Sequence, residues 1–336
     1  MKKSQRLAAV LLILLMLCGC SMPATPNTVV LPQTPAENHT ESAPASAEPA
    51  QTTPETNAFH LEYEQTALPE PLSSVTALAM LEETLLLGGV SETGLALVRL
   101  TPEGCSEELP LPGSTEYLYA LCPDGAGGAW LLCGSLPKGY FDAFGNFRFL
   151  SQEPEGKLAL AHYDAAFALQ EIVLLQTLYT DRFFQLRRLD GGFCMMSASL
   201  LVRLDETGAE TARQSLDAKD GWSFAAMQET DGVLYALTRN FYGIELPELR
   251  KFTPDTLSAL ESDVCTSEIT GLGLRADGRL LMGNSEELFA YDTGSGETET
   301  LVRWQEIGAN VLTEQPWELE DGYLLFSPGD TSLQRL

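Results

Sequence analysis

From about residue 59 onward, apolar and polar positions recur in a fixed order: an apolar run, a short turn, a second apolar run, then a third and often a more polar fourth. The clearest copy is Tyr117–Cys122, Asp124-Gly125 and Ala129–Cys133. It returns as Phe183–Leu189, Asp190-Gly191 and Phe193–Ser197, then as Ser223–Gln228, Asp231-Gly232 and Val233–Thr238. Two more copies centre on Asp277-Gly278 and Asp321-Gly322, and a degenerate first copy sets Glu82-Glu83 between Val75–Leu81 and Leu85–Gly89. Asp-Gly between two apolar runs predicts a hairpin, because glycine accepts the positive φ of the tight turn. Third strands are predicted at Leu95–Leu100, Lys157–Tyr163, Leu200–Leu204, Leu249–Phe252 and Glu287–Tyr291, and fourth strands at Glu210–Leu216 and Glu297–Val302.

The Asp positions 124, 190, 231, 277 and 321 lie 66, 41, 46 and 44 residues apart. Four strands every ~40–45 residues is the period of propeller blades. The pattern resembles a bacterial β-propeller of the loosely repetitive kind, without Trp-Asp or kelch signatures, over roughly 59–336. The expected fold is all-β, with six four-stranded blades preceded by a disordered tether. The sixth unit, about 309–336, stops after three strands. Phe59–Gln65 alternates apolar and polar positions, and as the missing fourth strand it would close the ring and remove its edges. The alternative is a chain from which further blades or a second domain are missing.

The N-terminus follows a different pattern. Lys2, Lys3 and Arg6 precede the unbroken apolar run Leu7–Leu17, too short to span ~30 Å of hydrocarbon. Leu17-Cys18-Gly19-Cys20-Ser21 follows at once. This order resembles the lipobox of bacterial lipoproteins, and the resemblance implies a signal peptide over 1–19 and a diacylglyceryl-modified Cys20. An ordinary secretory peptide is the alternative. Two or more lipid chains make such anchoring stable. Residues 21–58 hold seven Pro, seven Thr and four Glu with no aromatic, Lys or Arg, so they cannot bury enough surface to offset their ordering entropy. With Cys20 they are expected to form an extended linker between the lipid and a domain over 59–336.

Composition narrows the partners. The 336 residues are 44% hydrophobic, enough to build a core, and carry a net charge of −27. That charge argues against nucleic acid, whose phosphates need clustered Lys and Arg, and against docking on an anionic membrane by charge alone. The expected location is the outer face of a cell membrane, on a Gram-positive cell surface, with the lipid as the membrane contact.

Five cysteines remain after Cys18 and Cys20: Cys105, Cys122, Cys133, Cys194 and Cys265. An odd count cannot be a complete disulfide framework, and free buried thiols are expected. No His-x-x-His, Cys-x-x-Cys or His-Glu-x-x-His spacing occurs, so neither a metal nor another cofactor is expected. His162, inside a strand, reads as structural.

Two connections on the face opposite the Asp-Gly turns are long. Gly134–Gly156 carries Tyr140, Phe141, Asp142 and Phe144, and Asn240–Glu248 carries Phe241 and Tyr242. Trp222 starts an inner strand and is expected to rim the central channel on that same face. Loops on a rigid scaffold concentrate binding residues, and aromatics there could stack on sugars or anchor a peptide. These residues are the candidate site, and the alternative is that the insert packs its aromatics on its own blade. The reading that results is a surface-anchored module binding an extracellular ligand or partner protein without catalysis. A carbohydrate-acting lyase or hydrolase using paired carboxylates and an accessory domain of a solute-uptake system are the alternatives.

Overall fold

The computed structural model describes residues 63–336 apart from 82–83, 102, 114, 136–138, 142–146, 150–156, 178, 180, 217–219, 241, 243–244, 266–267, 310–313, 320–321 and 328. Six four-stranded antiparallel sheets follow one another along the chain, the first five with their strands in sequence order from the inside outward. The inner strands of blades 1 to 6 are Leu72–Leu81, Tyr117–Pro123, Phe183–Leu189, Trp222–Thr230, Ile269–Leu274 and Gln315–Leu319. Each of the first five packs against the inner strand of the following blade, which builds a propeller around a central channel. A two-stranded hairpin, Gly139–Phe141 with Phe147–Phe149, branches from blade 2 within the long insert.

The apolar runs seen in the sequence are middle strands covered on both faces. Gly192–Ser197 and Leu280–Asn284 are buried throughout, whereas the outer strand Glu210–Ser215 alternates between half-buried and exposed. The core is six wedges, one between each pair of neighbouring blades. Between blades 3 and 4, for instance, Met196 and Leu201 meet Phe224, Met227 and Leu234.

The ring closes through the start of the domain. Glu64–Ala67 pairs antiparallel with Ser332–Arg335 as the fourth strand of blade 6, in the register Glu64↔Arg335 to Ala67↔Ser332. The expected Phe59–Gln65 is thus right in role and lies too early, while residues 59–62 fall outside the described part. Blade 6 also grips blade 1 directly, where Val75 N donates to Asp330 O at 2.9 Å and Gly329 N to Val75 O at 2.7 Å. Three strands were illegible in the repeat: Ser106–Leu109, Leu169–Leu174 and Asp263–Val264, all fourth strands.

Two positions need glycine or its equivalent. Asp231 and Gly232 both have positive φ, 52° and 71°, the geometry of a two-residue hairpin turn with the twist of its strands. At Gly273 a Cβ would lie 2.0 Å from Pro316 O, so the inner strands of blades 5 and 6 approach too closely for any side chain. Other turns at the Asp-Gly end are fixed by aspartates: Asp124, Asp164, Asp205 and Asp292 each accept two backbone N–H groups of their own turn through Oδ1.

Gly273→Ala is expected to destabilise the domain by about 1–3 kcal/mol through overpacking, read as a lower thermal midpoint. A chain starting at Leu68 should lose the closing strand and self-associate through the bare edge of Ser332–Arg335, visible by size-exclusion chromatography. A monomer of unchanged midpoint would contradict that role.

Candidate functional site

The face carrying the long loops holds the candidate residues, and the structure divides them. Trp222 opens the inner strand of blade 4 in register with Asn240. The Arg250 guanidinium lies 5.6 Å from its ring centroid. Arg250 belongs to the third strand, and Phe224 on the same side of the strand is buried between blades 3 and 4. Trp222 therefore lies on the blade's flank facing blade 3, and the expectation that it rims the central channel is corrected. Strand alternation is the reason: Trp222 and Phe224 share one side, and that side is the inter-blade wedge.

Tyr242 packs against the residue that precedes Trp222. Its ring covers Gly221 so closely that a Cβ at Gly221 would meet Tyr242 Cε2 at 2.4 Å. Asn240 fixes the loop, its Oδ1 accepting from Tyr242 N at 2.9 Å. Tyr242 remains 69% exposed, so an aromatic face is held rigidly toward solvent. On the flank facing blade 3, a cleft of about 180 Å³ is lined by Gln214, Leu216, Phe224, Glu248 and Arg250. Glu248 and Arg250 pair at 3.0 Å. This corner combines an aromatic platform, an apolar floor and both charge signs, which suits a polar ligand with a flat face.

Tyr140 and Phe141 lie two blades away on the hairpin of blade 2, whose base is fastened by Ser135 N donating to Lys157 O at 3.0 Å. Asp142, Phe144, Phe241 and the candidate lipidation residue Cys20 lie outside the described residues. Among the described residues, six of the seven exposed large hydrophobics belong to blades 2 and 4: Tyr117, Ile172, Leu174, Tyr242, Leu246 and Leu260. Those are the blades with the long loops, so sticky surface and loop length coincide.

The same face carries a carboxyl pair that no local motif announces. Glu314 precedes the inner strand of blade 6, and Asp330 sits in the following loop of that blade. Burial pushes both carboxyls above the usual range, and Asp330 raises Glu314 further while Arg239 opposes it. Asp330 Oδ2 accepts from Ser327 N at 2.8 Å, and Arg239 donates to Thr270 O at 3.1 Å. Carboxyls raised above their usual range by burial are suited to proton transfer.

On the opposite face the titratable groups are locked into the scaffold. His162 Nε2 lies 2.9 Å from Asp124 Oδ2, and its ring stacks on Trp130 at 4.4 Å. Asp124, although burial works against it, is held below the usual range by His162 and by the N–H groups of Ala126 and Gly128. Cys122, Cys133 and Cys194 are buried free thiols, and burial pushes the Cys122 and Cys194 thiols up to about 12. Among the described residues, no group of three or more His, Cys, Asp or Glu could hold a metal ion.

No protein-family model matches the chain, and no curated protein matches it in sequence. Solved structures do match. A glucose dehydrogenase aligns at TM-score 0.50 and 11% identity over 82% of this chain and 99% of its own. The soluble aldose sugar dehydrogenase of Escherichia coli aligns at 0.49 and 11% over 81% and 98%, and a streptogramin B lyase at 0.48 and 10% over 83% and 99%. At these identities the likeness shows the β-propeller fold alone.

Asp330 sets a pH test. Its folded value is raised, so the folded state holds the extra proton, and the penalty is complete above the folded value and gone below the unfolded one near ~4. Asp330→Asn, which keeps an acceptor for Ser327, should therefore be more stable than the parent at pH 8, the gap closing toward pH 4. Thermal unfolding at both values checks this. An equal gap at both would mean the charge is not the cause.

Proposed function

We propose that the chain is a lipoprotein of the extracytoplasmic membrane face, anchored on a Gram-positive cell surface through Cys20 and a linker over 20–58. Its propeller, over 59–336, captures a ligand or partner protein and releases it unchanged. The observation that supports the binding role is the exposed Tyr242 seated over Gly221, on the same blade as Trp222 with Arg250 over its ring and a cleft containing Arg250 and Glu248. A rigid aromatic face gains affinity because little side-chain entropy is lost when it is covered. The anchor is supported by the sequence Leu17-Cys18-Gly19-Cys20. The ligand class favoured by the corner is a sugar or a peptide segment with a flat polar face. Tyr140, Phe141, Asp142, Phe144 and Phe241 belong to the same proposal as further candidate contact residues.

A second reading, catalysis on carbohydrate, is favoured by the elevated carboxyls Glu314 and Asp330. Their separate location makes the two readings distinguishable.

A thermal-shift screen against oligosaccharides and peptides tests the binding role, since a ligand at 100 times its dissociation constant adds about 2.7 kcal/mol. The expected hit is lost in Tyr242→Ala and kept in Glu314→Gln. Product formation that disappears in Glu314→Gln would replace capture with catalysis. Cys20→Ala should abolish incorporation of labelled palmitate and release the protein from membranes in a Gram-positive host. Membrane retention of that variant would remove the lipid anchor.

A further inference from the structure

Arg187 lies on the inner strand of blade 3, two residues before its end. The same position on blades 4 and 6 holds Gln228 and Trp317, and on blades 1, 2 and 5 it holds Ala79, Leu121 and Leu272. Ala79, Leu121 and Leu272 turn into the inter-blade core, whereas Arg187, Gln228 and Trp317 meet one another near the Asp-Gly end. Arg187 Nε donates to Gln228 Oε1 at 3.1 Å and Nη1 to Leu186 O at 3.2 Å. Its guanidinium carbon stands 5.8 Å from the ring centroid of Trp317, on the blade directly opposite, so the side chain reaches across the channel.

This cation has no counter-charge beside it. Most arginines of the domain meet a carboxylate, as Arg188 meets Glu206 and Arg275 meets Glu318. Among the described residues, Arg187 is in no ion pair, and the groups acting on it electrostatically are the neutral thiols of Cys122 and Cys194. Burial lowers its affinity for its proton. A half-buried guanidinium without an opposite charge beside it is costly, and Trp317 and two neutral acceptors compensate only in part.

A second observation is independent of that charge. Gln185, 1% exposed, accepts from Met227 N at 2.6 Å. The amide thus bridges to the inner strand of blade 4, next to Gln228, while its Nε2 has no acceptor. Trp317 Nε1 is buried without one as well. Arg187 and Trp317 therefore offer a positive charge and one unpartnered N–H donor together, and Gln185, two residues along the same strand, offers a second. Arg203, the other guanidinium next to Cys194, has its Nη atoms on the carbonyls of Phe193, Leu204 and Asp190.

We propose that the propeller binds an oxyanion on its axis, a small free anion or the carboxylate of a larger ligand, with Arg187 as its charge partner and Gln185 and Trp317 as donors. Low-dielectric walls on every side strengthen the attraction at the bottom of an otherwise acidic molecule. The inference does not depend on the blade 4 corner.

The full-length protein is titrated with formate, inorganic phosphate and glucuronate at constant ionic strength, chloride making up the balance. Thermal midpoint and tryptophan fluorescence are read together. At least one anion should give a saturable rise in midpoint with a fluorescence change. Formate or phosphate alone would identify a free anion, and tighter binding of glucuronate an appended carboxylate. Arg187→Met should abolish the response and, in chloride alone, unfold no earlier than the parent, because a cation held for structure would make it unfold earlier. Trp317→Phe keeps the ring and removes the N–H, and should weaken binding about fivefold to tenfold, the effect of one hydrogen bond. If Arg187→Met does not fold, Trp317→Phe decides alone. The site is overturned by the absence of any saturable response, by an equal response in Arg187→Met, or by unchanged affinity in Trp317→Phe.

Discussion

A sheet with two apolar faces cannot be stable alone, and every blade of this domain has two. Each must be flanked on both sides, so a row of blades has no satisfactory end until it meets itself. The six inter-blade wedges express that requirement. The contact between blades 6 and 1, where Leu324 and Phe326 join Leu72, Val75 and Leu78, completes the last one. The pairing of Glu64–Ala67 with Ser332–Arg335 and the reciprocal bonds between Val75 and the 329–330 loop hold that closure. The channel, its two faces and the loops they carry all take their positions from it.

The blades were legible because burial on both faces leaves an unmistakable trace. Middle strands such as Phe193–Ser197 admit almost no polar residue, and the turns between them demand Asp-Gly. Outer strands lacked this trace, since only one side is covered and few positions are constrained, and Leu169–Leu174 went unread although Leu174 is among the most exposed apolar residues. Part of the candidate site was legible as aromatic loops. The location of Trp222 was not, because its environment is set by Arg250, a residue two strands away. Glu314, Asp330 and Arg239 come from distant parts of the chain, and no spacing rule links them. Arg187 was read as one more residue of an apolar strand, and only the ring brings Trp317 opposite it.

The two faces differ chemically in a consistent way. At the Asp-Gly end, Asp124, Asp205, Asp277 and Asp292 are held below the ordinary carboxylate range by N–H groups, hydroxyls and guanidinium partners. At the loop end, Glu314 and Asp330 are held above it by burial. The first set stabilises turns and is spent on structure, whereas the second is strained electrostatically and borne by the ring. Unfavourable groups that a scaffold tolerates are where function is most often built. Of the exposed apolar residues of blades 2 and 4, Tyr117, Leu174, Tyr242 and Leu246 lie at that same end.

The closing strand also dictates an order of events. Tyr63 donates to Gln334 across 271 residues of sequence, and Gln65 reaches Ser332 across 267. Contacts of such separation are slow to form, because the whole intervening chain must be gathered before they repay its loss of freedom. Residues 64–67 are synthesised first and stay unpaired until residues 332–335 exist. Until then one face of blade 1 and one of blade 6 remain exposed to water and to other chains. The growing polypeptide must therefore be kept apart from its neighbours longest at the strand that it makes earliest.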